Sequence, residues 1–431
     1  MMTQAPLPAL SDMRVAVIGL GYVGLPLALE FGKQRATVGY DLNAERVTQL
    51  AAGIDSTGEA DDLSVATHLT YTSDLAQIAD CNTYIVAVPT PIDNHRQPNL
   101  APLLAASRAV GSVLKRGDIV IFESTVYPGA TEEDCLPLVE AASGLTFNTD
   151  FYAGYSPERI NPGDKSRPLP KICKVTSGST PQAAALIDAL YGTIITAGTH
   201  LAPSIRVAEA AKVIENTQRD VSIALINELS MIFSLLDIDT AAVLDAAATK
   251  WNFNRYTPGL VGGHCIGVDP YYLVHKSITA GHIPDIIRMA REINDGMARH
   301  AVSLLIKAMI RSEARVHGGR VLLLGITFKE NCADIRNTKV VDMLGELASY
   351  GLSVDLHDPW ADTDEVRDVY GIDMLGDAPV ADGGYDAVIL AVAHDALVSH
   401  GAEALRAHLA PNGVFFDMKA VFDQGDSDLR L

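Results

Sequence analysis

Basic residues are scarce in this sequence of 431 residues. Lysine and arginine together number 33 against 53 aspartates and glutamates, which gives a formal charge of −20. This charge argues against general binding to nucleic acid or to an anionic membrane surface. Any anionic ligand must therefore be held by a local cluster of basic groups and backbone amides.

Long apolar runs and paired cysteines are also lacking. No run reaches the roughly 18–20 residues that span a bilayer, and the opening MMTQAPLPALSD has neither the basic nor the apolar region of a signal peptide. The five cysteines are an odd number without paired spacing, which fits a reducing cytoplasm. We therefore expect a cytoplasmic protein of two or three domains.

One stretch, residues 204–236, predicts a single long helix. Apolar residues recur there at steps of three and four, and neither Gly nor Pro interrupts them. At about 1.5 Å per residue the helix is roughly 50 Å long, enough to bridge two domains. Its first half carries a polar stripe: Glu209, Lys212, Asn216 and Asp220. The stripe is either a solvated face or the wall of a site in which Lys212 and Asn216, one turn apart, reach the same ligand atom.

The beginning of the chain has the strand–turn–helix–strand pattern of a dinucleotide-binding fold. Its turn has the G-x-G-x-x-G form, Gly19-Leu20-Gly21-Tyr22-Val23-Gly24. A plain glycine-rich turn would match too, but this one follows a buried strand and opens a helix, and Asp41 ends the next strand. Asp41 would accept hydrogen bonds from ribose hydroxyls and repel a 2′-phosphate, which favours NAD over NADP. Arg46, a helical turn beyond, would flank the adenine unless it serves a 2′-phosphate.

Two threonines follow later predicted strands of the same sheet. Thr90 lies in VPTP (88–91) and Thr125 in ESTV (123–126). Ligands bind at the carboxyl ends of strands in such sheets, so both are candidates for cofactor contacts, although threonines there are often simple caps.

The opening pattern recurs from Arg320. The run RVLLLGITFKEN (320–331) repeats the character of RVAVIGLGYVG, with Gly325 retained but the full glycine motif lost. The fold class we predict is α/β: two Rossmann-like, doubly wound parallel-sheet domains joined by a helical domain with a long central helix. The domain boundaries we expect are 1–203, 204–316 and 317–431.

A glycine-rich loop at 258–269 contains Cys265. Most single thiols are buried and inert, and a metal site of His264, Cys265 and His275 would lack the usual paired ligand spacing, so we predict no metal. A nucleophilic thiol would need a nearby cation to lower its pKa and a partner for an oxyanion. Lys212 and Asn216 could supply both.

At this point the sequence resembles a known family, the nucleotide-sugar 6-dehydrogenases, which include UDP-glucose and GDP-mannose dehydrogenases. The resemblance covers nearly the whole chain and is carried by GLGYVGLPLA, VPTP, ESTVYPG, YSPERINPG, EAAKVIENTQRD, GGHCIGVDPYYL and TFKENCADIRNT. The YSPERINPG and GGHCIGVDPYYL forms are most similar to the branch that oxidises UDP-N-acetylhexosamines for surface polysaccharides. The resemblance implies that residues 1–203 bind NAD and that residues 317–431 bind the UDP-sugar.

The resemblance also implies a four-electron oxidation at C6 that reduces two NAD⁺ for each substrate. Cys265 would attack an aldehyde intermediate to give a thiohemiacetal, and its oxidation would give a thioester that water hydrolyses. Lys212 and Asn216 would stabilise the oxyanion. Asp269 and Glu158 are candidates for proton transfer, directly or through Thr125 and a water, with roles that the sequence does not separate. Alternatively, Glu158 forms an ordinary salt bridge with Arg159.

Further ligand contacts follow from the same motifs. Arg336 would reach the cofactor. The substrate contacts implied are Glu158, Arg159, Asn161, Lys212, Asn216, Tyr256, Gly259, Gly262, Phe328, Lys329 and Lys419. An arginine that the family contributes across a dimer corresponds to Arg255 only with uncertain spacing, and His264 stands where UDP-glucose enzymes often have serine. The expected substrate is UDP-GlcNAc or UDP-GalNAc, with UDP-glucose and UDP-ManNAc as the alternatives.

Two other functions compete with this one. A two-electron β-hydroxyacid-type dehydrogenase also combines a dinucleotide fold with a helix that carries Lys and Asn, but it lacks the second sheet domain and the GGHC loop. A non-enzymatic NAD-binding regulator would need no oxyanion partner. The long central helix is a plausible two-fold interface, so we expect a homodimer.

Overall fold

The computed structural model describes residues 4–60, 62–93, 95–160, 167–263, 265–379, 381 and 383–431. Their contacts divide the chain into two compact units. Unit 1 comprises Met1–Glu215 and Tyr271–His282, and unit 2 comprises Asn216–Pro270 and Ile283–Leu431. The three-domain division at 203/204 and 316/317 remains a prediction.

Unit 1 is built on a six-stranded parallel sheet. Its strands are β1 (Val15–Ile18), β2 (Thr37–Tyr40), β3 (Leu69–Thr72), β4 (Thr83–Val86), β5 (Ile119–Phe122) and β6 (Tyr152–Tyr155). They lie in the order β3-β2-β1-β4-β5-β6, with the reversal of order between β1 and β4 that defines a doubly wound sheet. Buried runs such as VAVI and IVIF form its centre, because both faces of a parallel sheet are covered.

Helices and a small second sheet complete this unit. The helices are α1 (Gly24–Gly32), α2 (Ala44–Ala51), α3 (Ala101–Val113), α4 (Leu136–Ser143) and α5 (Pro181–Gly192). The small sheet pairs β7 (Lys174–Thr176) with β8 (Thr199–Leu201) in parallel. Apolar side chains of α1, α5 and the central strands form one core cluster.

Helix α6 (Ile205–Leu235) is a single helix of 31 residues, as the apolar periodicity predicted. The sequence boundary between the two units falls within it. It is followed by α7 (Thr240–Ala248), α8 (Asp269–Thr279) and α9 (Asp285–Arg311).

Unit 2 contains the second parallel sheet. Its five strands, β9 (Arg320–Leu324), β10 (Ser353–His357), β11 (Tyr385–Leu390), β12 (Leu409–Asp417) and β13 (Leu429–Arg430), lie in the order β10-β9-β11-β12-β13. The helices between them are α10 (Val340–Ser349), α11 (Thr363–Tyr370), α12 (Asp395–Val398) and α13 (Gly401–Arg406). The buried face of α9 packs in one core cluster with this sheet and α10. The predicted fold class is confirmed: a Rossmann-like amino-terminal sheet, a helical central region and a second parallel sheet.

Candidate active site

The turn after β1 contains three glycines, and two of them, Gly19 and Gly24, could not be replaced by a residue with a side chain. Gly19 has a φ of +93°, and a Cβ on Gly24 would lie 1.8 Å from the Gly19 carbonyl oxygen. Gly21 differs, because a Cβ there would meet no described atom within 4 Å. The space beside Gly21, at the amino end of α1, is thus open to a ligand, and a pyrophosphate suits the positive end of a helix.

Asp41 lies at the carboxyl end of β2, beside this turn. One carboxylate oxygen accepts the Leu20 N–H at 2.8 Å and the other accepts the Asn43 N–H at 2.9 Å. Each oxygen retains acceptor capacity for a ribose hydroxyl, since a carboxylate offers about four lone-pair sites. The glycine turn and Asp41 therefore fit a dinucleotide, with Tyr22 and Val23 within the turn.

Arg46 is buried and its guanidinium is used within the protein. It donates from Nε to the Leu20 carbonyl at 3.1 Å, and its terminal nitrogens reach Ser56 Oγ at 3.0 Å and Asp55 Oδ1 at 2.7 Å. Arg46 thus fastens the segment after α2 to the glycine turn. Its direct contact with the cofactor remains a prediction.

Thr90 and Thr125 follow β4 and β5 at the carboxyl edge of the first sheet, as predicted. The Thr90 carbonyl accepts the Tyr272 hydroxyl at 2.8 Å. Next to Thr125, Ser124 donates from Oγ to the Val88 carbonyl at 2.6 Å. The Ser124 bond links the two strand ends whose threonines are the candidates, and the Tyr272 bond joins Thr90 to α8.

Glu158 does not form the ordinary salt bridge with Arg159 that was one of the expectations. Its Oε1 accepts the backbone N–H groups of Arg159 and Ile160, each at 2.5 Å. The Arg159 guanidinium instead pairs with Glu215 at 2.7 Å. Oε2 of Glu158 is buried and finds no hydrogen-bond partner in the described part of the chain, but it lies 3.6 Å from Lys174 Nζ.

Lys174 was not among the site residues predicted from the sequence. This lysine is 1% exposed and its Nζ lies 2.7 Å from Glu123 Oε2. The Tyr191 hydroxyl donates to the other oxygen of Glu123. The signal was a charged residue within the strand-like run KVTSG, where burial of a lysine requires a partner.

The polar stripe of α6 is not a solvated face. Glu209, Lys212 and Asp220 are all buried. Glu209 accepts the backbone N–H groups of Gly129 and Thr131 at 2.5 and 2.9 Å, while Asp220 pairs with Arg291 at 2.5 Å. Two members of the stripe are therefore structural, and Lys212 and Asn216 remain as candidates for the site.

The cysteine loop of unit 2 brings three predicted residues together. The Cys265 carbonyl accepts the Asp269 N–H at 2.8 Å, where α8 begins. The Asn216 side-chain amide donates to Asp269 Oδ2 at 2.5 Å. Asn216, Cys265 and Asp269 thus form one cluster, with Asp269 only 2% exposed.

The predicted substrate residues of unit 2 also converge. A Cβ on Gly259 would lie 3.5 Å from Lys419 Nζ, and one on Gly263 would lie 2.9 Å from the Phe328 ring. Lys329 Nζ lies 5.5 Å from the centre of that ring. A small pocket here is lined by Leu260, Gly262, Thr327, Phe328, Lys329, Glu330, Thr338, Lys339, Val340, Ala391, Val392 and Lys419. Lysines around closely packed glycines suit an anionic ligand.

Asn227 holds this loop in place and was also missed. Its amide oxygen accepts the Gly259 N–H at 2.8 Å, and its amide nitrogen donates to the Gly259 carbonyl at 3.1 Å. Asn227 is fully buried in the half of α6 that belongs to unit 2. A buried asparagine on an apolar helix face was the available signal, because such an amide needs hydrogen-bond partners.

The ligand contacts of three further candidates, Arg336, Arg255 and Tyr256, remain predictions. Arg336 pairs with Asp334 through two nitrogens, at 3.0 and 2.6 Å. Arg255 is exposed and pairs with Asp245 at 2.5 Å. Tyr256 is half-buried.

Asn161 and His264 lie outside the described residues. Within the described part of the chain, no group of three or more His, Cys, Asp and Glu side chains could hold a metal ion. His275 Nδ1 lies 2.9 Å from Gln97 Oε1. Among the described helices, none has both the length and the apolar composition needed to cross a membrane.

Three models of the UDP-glucose/GDP-mannose dehydrogenase family match the chain in order. The NAD binding domain matches residues 13–195, the central domain 206–296 and the UDP binding domain 322–424.

Similar proteins of known name match over nearly their whole length. The UDP-N-acetyl-D-glucosamine 6-dehydrogenase of Pseudomonas aeruginosa is 58% identical, over 98% of this chain and 100% of the relative. That of Salmonella typhi is 54% identical, over 98% and 99%. The solved structure of the UDP-D-ManNAc dehydrogenase from Pyrococcus horikoshii matches with a TM-score of 0.86 and 29% identity, over 96% of each chain.

Proposed function

The chain belongs to the UDP-glucose/GDP-mannose dehydrogenase family and is an NAD-dependent nucleotide-sugar 6-dehydrogenase, and from this premise we propose that it oxidises UDP-N-acetylglucosamine at C6 to the uronic acid. The observation that carries the choice of sugar is the identity of 58% and 54% to two enzymes named for that substrate. The sequences of the GGHC loop and the YSPERINPG segment also resemble those of the branch that oxidises UDP-N-acetylhexosamines.

The open space beside Gly21 and the carboxylate of Asp41 fit NAD, as described above. When bound, NAD supplies the acceptor for the two hydrides that leave C6, one in each oxidation. We assign the positioning of its pyrophosphate to Gly19, Gly21 and Gly24, and that of its ribose to Asp41. Thr90, Thr125 and Arg336 are further proposed contacts.

The proposed chemistry at C6 is covalent. The Cys265 thiolate adds to the aldehyde carbon, and the negative charge that develops on the aldehyde oxygen is stabilised by donors from Lys212 and Asn216. Oxidation of this thiohemiacetal gives a thioester. Water then forms a bond to the carbonyl carbon while the C–S bond breaks, which returns the thiol and releases the carboxylate. Glu158 and Asp269 are the proposed groups for proton transfer.

The UDP moiety is assigned to unit 2. Lys329 and Lys419 supply positive charge beside the packed glycines of the 259–263 loop, in a chain whose formal charge is −20. Phe328 provides an aromatic surface there. Glu158, Arg159 and Asn161 are assigned to the sugar.

The deciding experiment is NADH formation with a panel of substrates. We expect the highest kcat/KM with UDP-N-acetylglucosamine among UDP-GlcNAc, UDP-GalNAc, UDP-ManNAc, UDP-glucose and GDP-mannose, and two NADH for each sugar consumed. A higher kcat/KM with another sugar would contradict the choice of substrate. One NADH for each sugar would favour a two-electron enzyme instead.

The product carries a new carboxylate on an activated sugar. We propose that the reaction takes place in the cytoplasm, where unpaired cysteines stay reduced, and supplies uronic acid units to a surface polysaccharide. Loss of uronic acid from the surface glycan of a deletion strain would be the expected result, and an unchanged glycan would refute the role.

A homodimer through the central helix is also proposed. Val207, Ile214, Leu225 and Ile232 on α6 are exposed, and their spacings of 7, 11 and 7 keep them on one helical face. A two-fold axis would bury this stripe against its own copy. The double variant Leu225→Asp/Ile232→Asp should be monomeric by light scattering, whereas Ile310→Asp, a control at an exposed position on α9, should leave the mass unchanged. A dimeric double variant would refute this interface.

A further inference from the structure

In unit 1, Glu158 lies next to two buried charged residues, Lys174 and Glu123. Lys174 Nζ is 2.7 Å from Glu123 Oε2 and 3.6 Å from Glu158 Oε2. The side chains of Lys174 and Glu123 are almost fully buried, at 1% and 0% exposed. Taking three charges out of water is costly, so the arrangement calls for a reason beyond a simple ion pair.

The two carboxylates are held differently. Glu123 receives a hydrogen bond on each oxygen, from Lys174 and from the Tyr191 hydroxyl. In Glu158, Oε1 is fixed by the backbone N–H groups of Arg159 and Ile160. Oε2 is buried and has no hydrogen-bond partner among the described residues. One oxygen of Glu158 is therefore anchored, and the other retains its capacity to accept a proton.

The charge on Lys174 is shared by both carboxylates. Burial raises the pKa of Glu123 to about 7, although the ammonium of Lys174 lowers it. Near neutral pH, Glu123 is therefore partly protonated, and its attraction for the ammonium of Lys174 is weaker. Lys174 can then also attract Glu158. Without Lys174, Glu158 Oε2 would lose the cation that lies 3.6 Å from it.

We propose that Lys174 is a positioning residue for the reaction: its ammonium, 3.6 Å from Glu158 Oε2, holds this oxygen in place as the base for thioester hydrolysis. This proposal rests on the proposed function. In that step the water oxygen bonds to the thioester carbon, the C–S bond to Cys265 breaks, and the water proton passes to Glu158 Oε2 without any change in oxidation state. Lys174 touches neither substrate nor cofactor in this role.

If the Lys174–Glu123 ion pair is only structural, replacing both residues by neutral ones should leave the activity unchanged. If Lys174 positions Glu158, the same replacement should lower the activity. The double variant Glu123→Gln/Lys174→Met removes both charges, and exchanging a buried ion pair for neutral groups is often tolerated. The amide that this variant introduces at position 123 is not needed as an acid or base, and its oxygen can still accept the Tyr191 hydroxyl. A purely structural pair therefore predicts normal stability and normal activity.

The experiment compares this double variant, Lys174→Met and Glu158→Gln with the intact enzyme. General bases contribute about 10²–10⁴-fold to rates, so we expect Glu158→Gln to lose about a hundredfold or more in kcat and the double variant at least about tenfold. Because slowed hydrolysis makes the acyl-enzyme the dominant state, KM for the UDP-sugar should fall together with kcat, and kcat/KM should stay close to that of the intact enzyme. The acyl-enzyme on Cys265 should accumulate, visible by intact-protein mass spectrometry after an acid quench. Tyr191→Phe, which alters the same buried group but leaves Lys174 and Glu158 in place, is the control and should retain its kcat.

Each outcome has a separate meaning. A folded double variant with normal kcat and no acyl-enzyme would overturn the role of Lys174, while the proposed function would stand if Glu158→Gln is impaired. Normal kcat in Glu158→Gln would also overturn the proposal, since it removes the base that Lys174 is said to position. Intact enzyme that forms no NADH with any UDP-sugar would instead refute the proposed function.

Discussion

At the scale of single residues, the proposed chemistry depends most on the thiol of Cys265. Replacement by serine leaves a hydroxyl that is a poor nucleophile at neutral pH, so Cys265→Ser should bind substrate and NAD⁺ but form no uronic acid. Product analysis by mass spectrometry measures this directly. Cys332 is likewise half-buried in unit 2, so Cys332→Ser is the control and should keep its activity. A normal yield of uronate from Cys265→Ser would refute the covalent route.

Lys212 carries the next prediction at this scale. If its buried ammonium stabilises the oxyanion, Lys212→Ala should lose about 3 kcal/mol of transition-state stabilisation, which is about 10²-fold in kcat. Lys276 pairs with Glu133 on the outside of unit 1, and Lys276→Ala should cost less than twofold. Steady-state NADH formation compares the two variants. Equal turnover in Lys212→Ala and the intact enzyme would leave Lys212 without a catalytic role.

Residue types on a helix could be predicted from the sequence, but their partners could not. The spacing identified the polar stripe on α6, yet Glu209 and Asp220 have their partners at Gly129 and Arg291, about 80 and 70 residues away along the chain. Lys174 was missed for the same reason, since Glu123 is 51 residues distant. Periodicity reports which face a side chain lies on and carries no information on what the fold brings against that face.

At the scale of elements, the chain uses one strand–turn device twice. Gly19 and Gly325 both have a φ of +93°. In each sheet the glycine N–H donates, at 2.8 Å, to the last backbone carbonyl of the strand that comes next along the chain: that of Tyr40 in unit 1 and that of His357 in unit 2. An aspartate then accepts the N–H of the next residue: Asp41 from Leu20 and Asp358 from Ile326. The repeat noted in the sequence therefore extends to individual hydrogen bonds.

The two copies of this device have different surroundings. Asp358 Oδ2 also meets His394 Nε2 at 3.1 Å, and the His394 ring is fully buried and stacks with Trp360. In unit 2 the carboxylate of Asp358 is thus already bonded to a side chain of the protein, that of His394. The similar sequences after β1 and β9 predicted the shared turn. They did not predict His394, because this residue comes from the loop after a different strand, β11.

The paired aspartates allow a matched prediction. Asp41→Asn should weaken NAD⁺ binding by roughly 1.5–3 kcal/mol, the value of hydrogen bonds to a charged group, and should reduce the preference for NAD⁺ over NADP⁺. Asp358→Asn should leave NAD⁺ affinity unchanged but cost about 3 kcal/mol of stability, because its carboxylate also accepts the backbone N–H groups of Thr327, Trp360 and Ala361. Calorimetric titration and chemical denaturation measure the two effects, and tight NAD⁺ binding by Asp41→Asn would contradict the assignment.

At the scale of the whole molecule, buried carboxyl groups predict how stability depends on pH. Burial raises the pKa of Glu209 to about 7 and that of Asp118 to about 6. Between the unfolded values near 4 and these folded values, the native chain binds more protons than the unfolded chain, so stability falls as pH rises through this window. The formal charge of −20 at pH 7 acts in the same direction through self-repulsion.

Other carboxyl groups limit stability at the acid end. Hydrogen bonds to His394 and to backbone N–H groups hold the pKa of Asp358 well below its usual range despite burial, and Thr57 and Arg46 lower that of Asp55. A depressed folded pKa contributes stability that is present above the unfolded pKa and is lost as pH falls through the folded pKa. Stability should therefore be greatest near pH 4–5, at about the unfolded carboxyl pKa, and decline on both sides.

Urea denaturation at pH 5.5 and pH 8 tests this balance, and the midpoint should be higher at pH 5.5. Asp118 accepts the Lys115 N–H at 2.8 Å, a bond that an asparagine oxygen can keep, so Asp118→Asn removes one titrating group with little change in packing. This variant should lose less stability than the intact chain on going from pH 5.5 to pH 8. A midpoint that rises towards pH 8 would mean that the buried carboxyl groups are ionised in the folded chain at pH 5.5, and that their hydrogen bonds outweigh their burial.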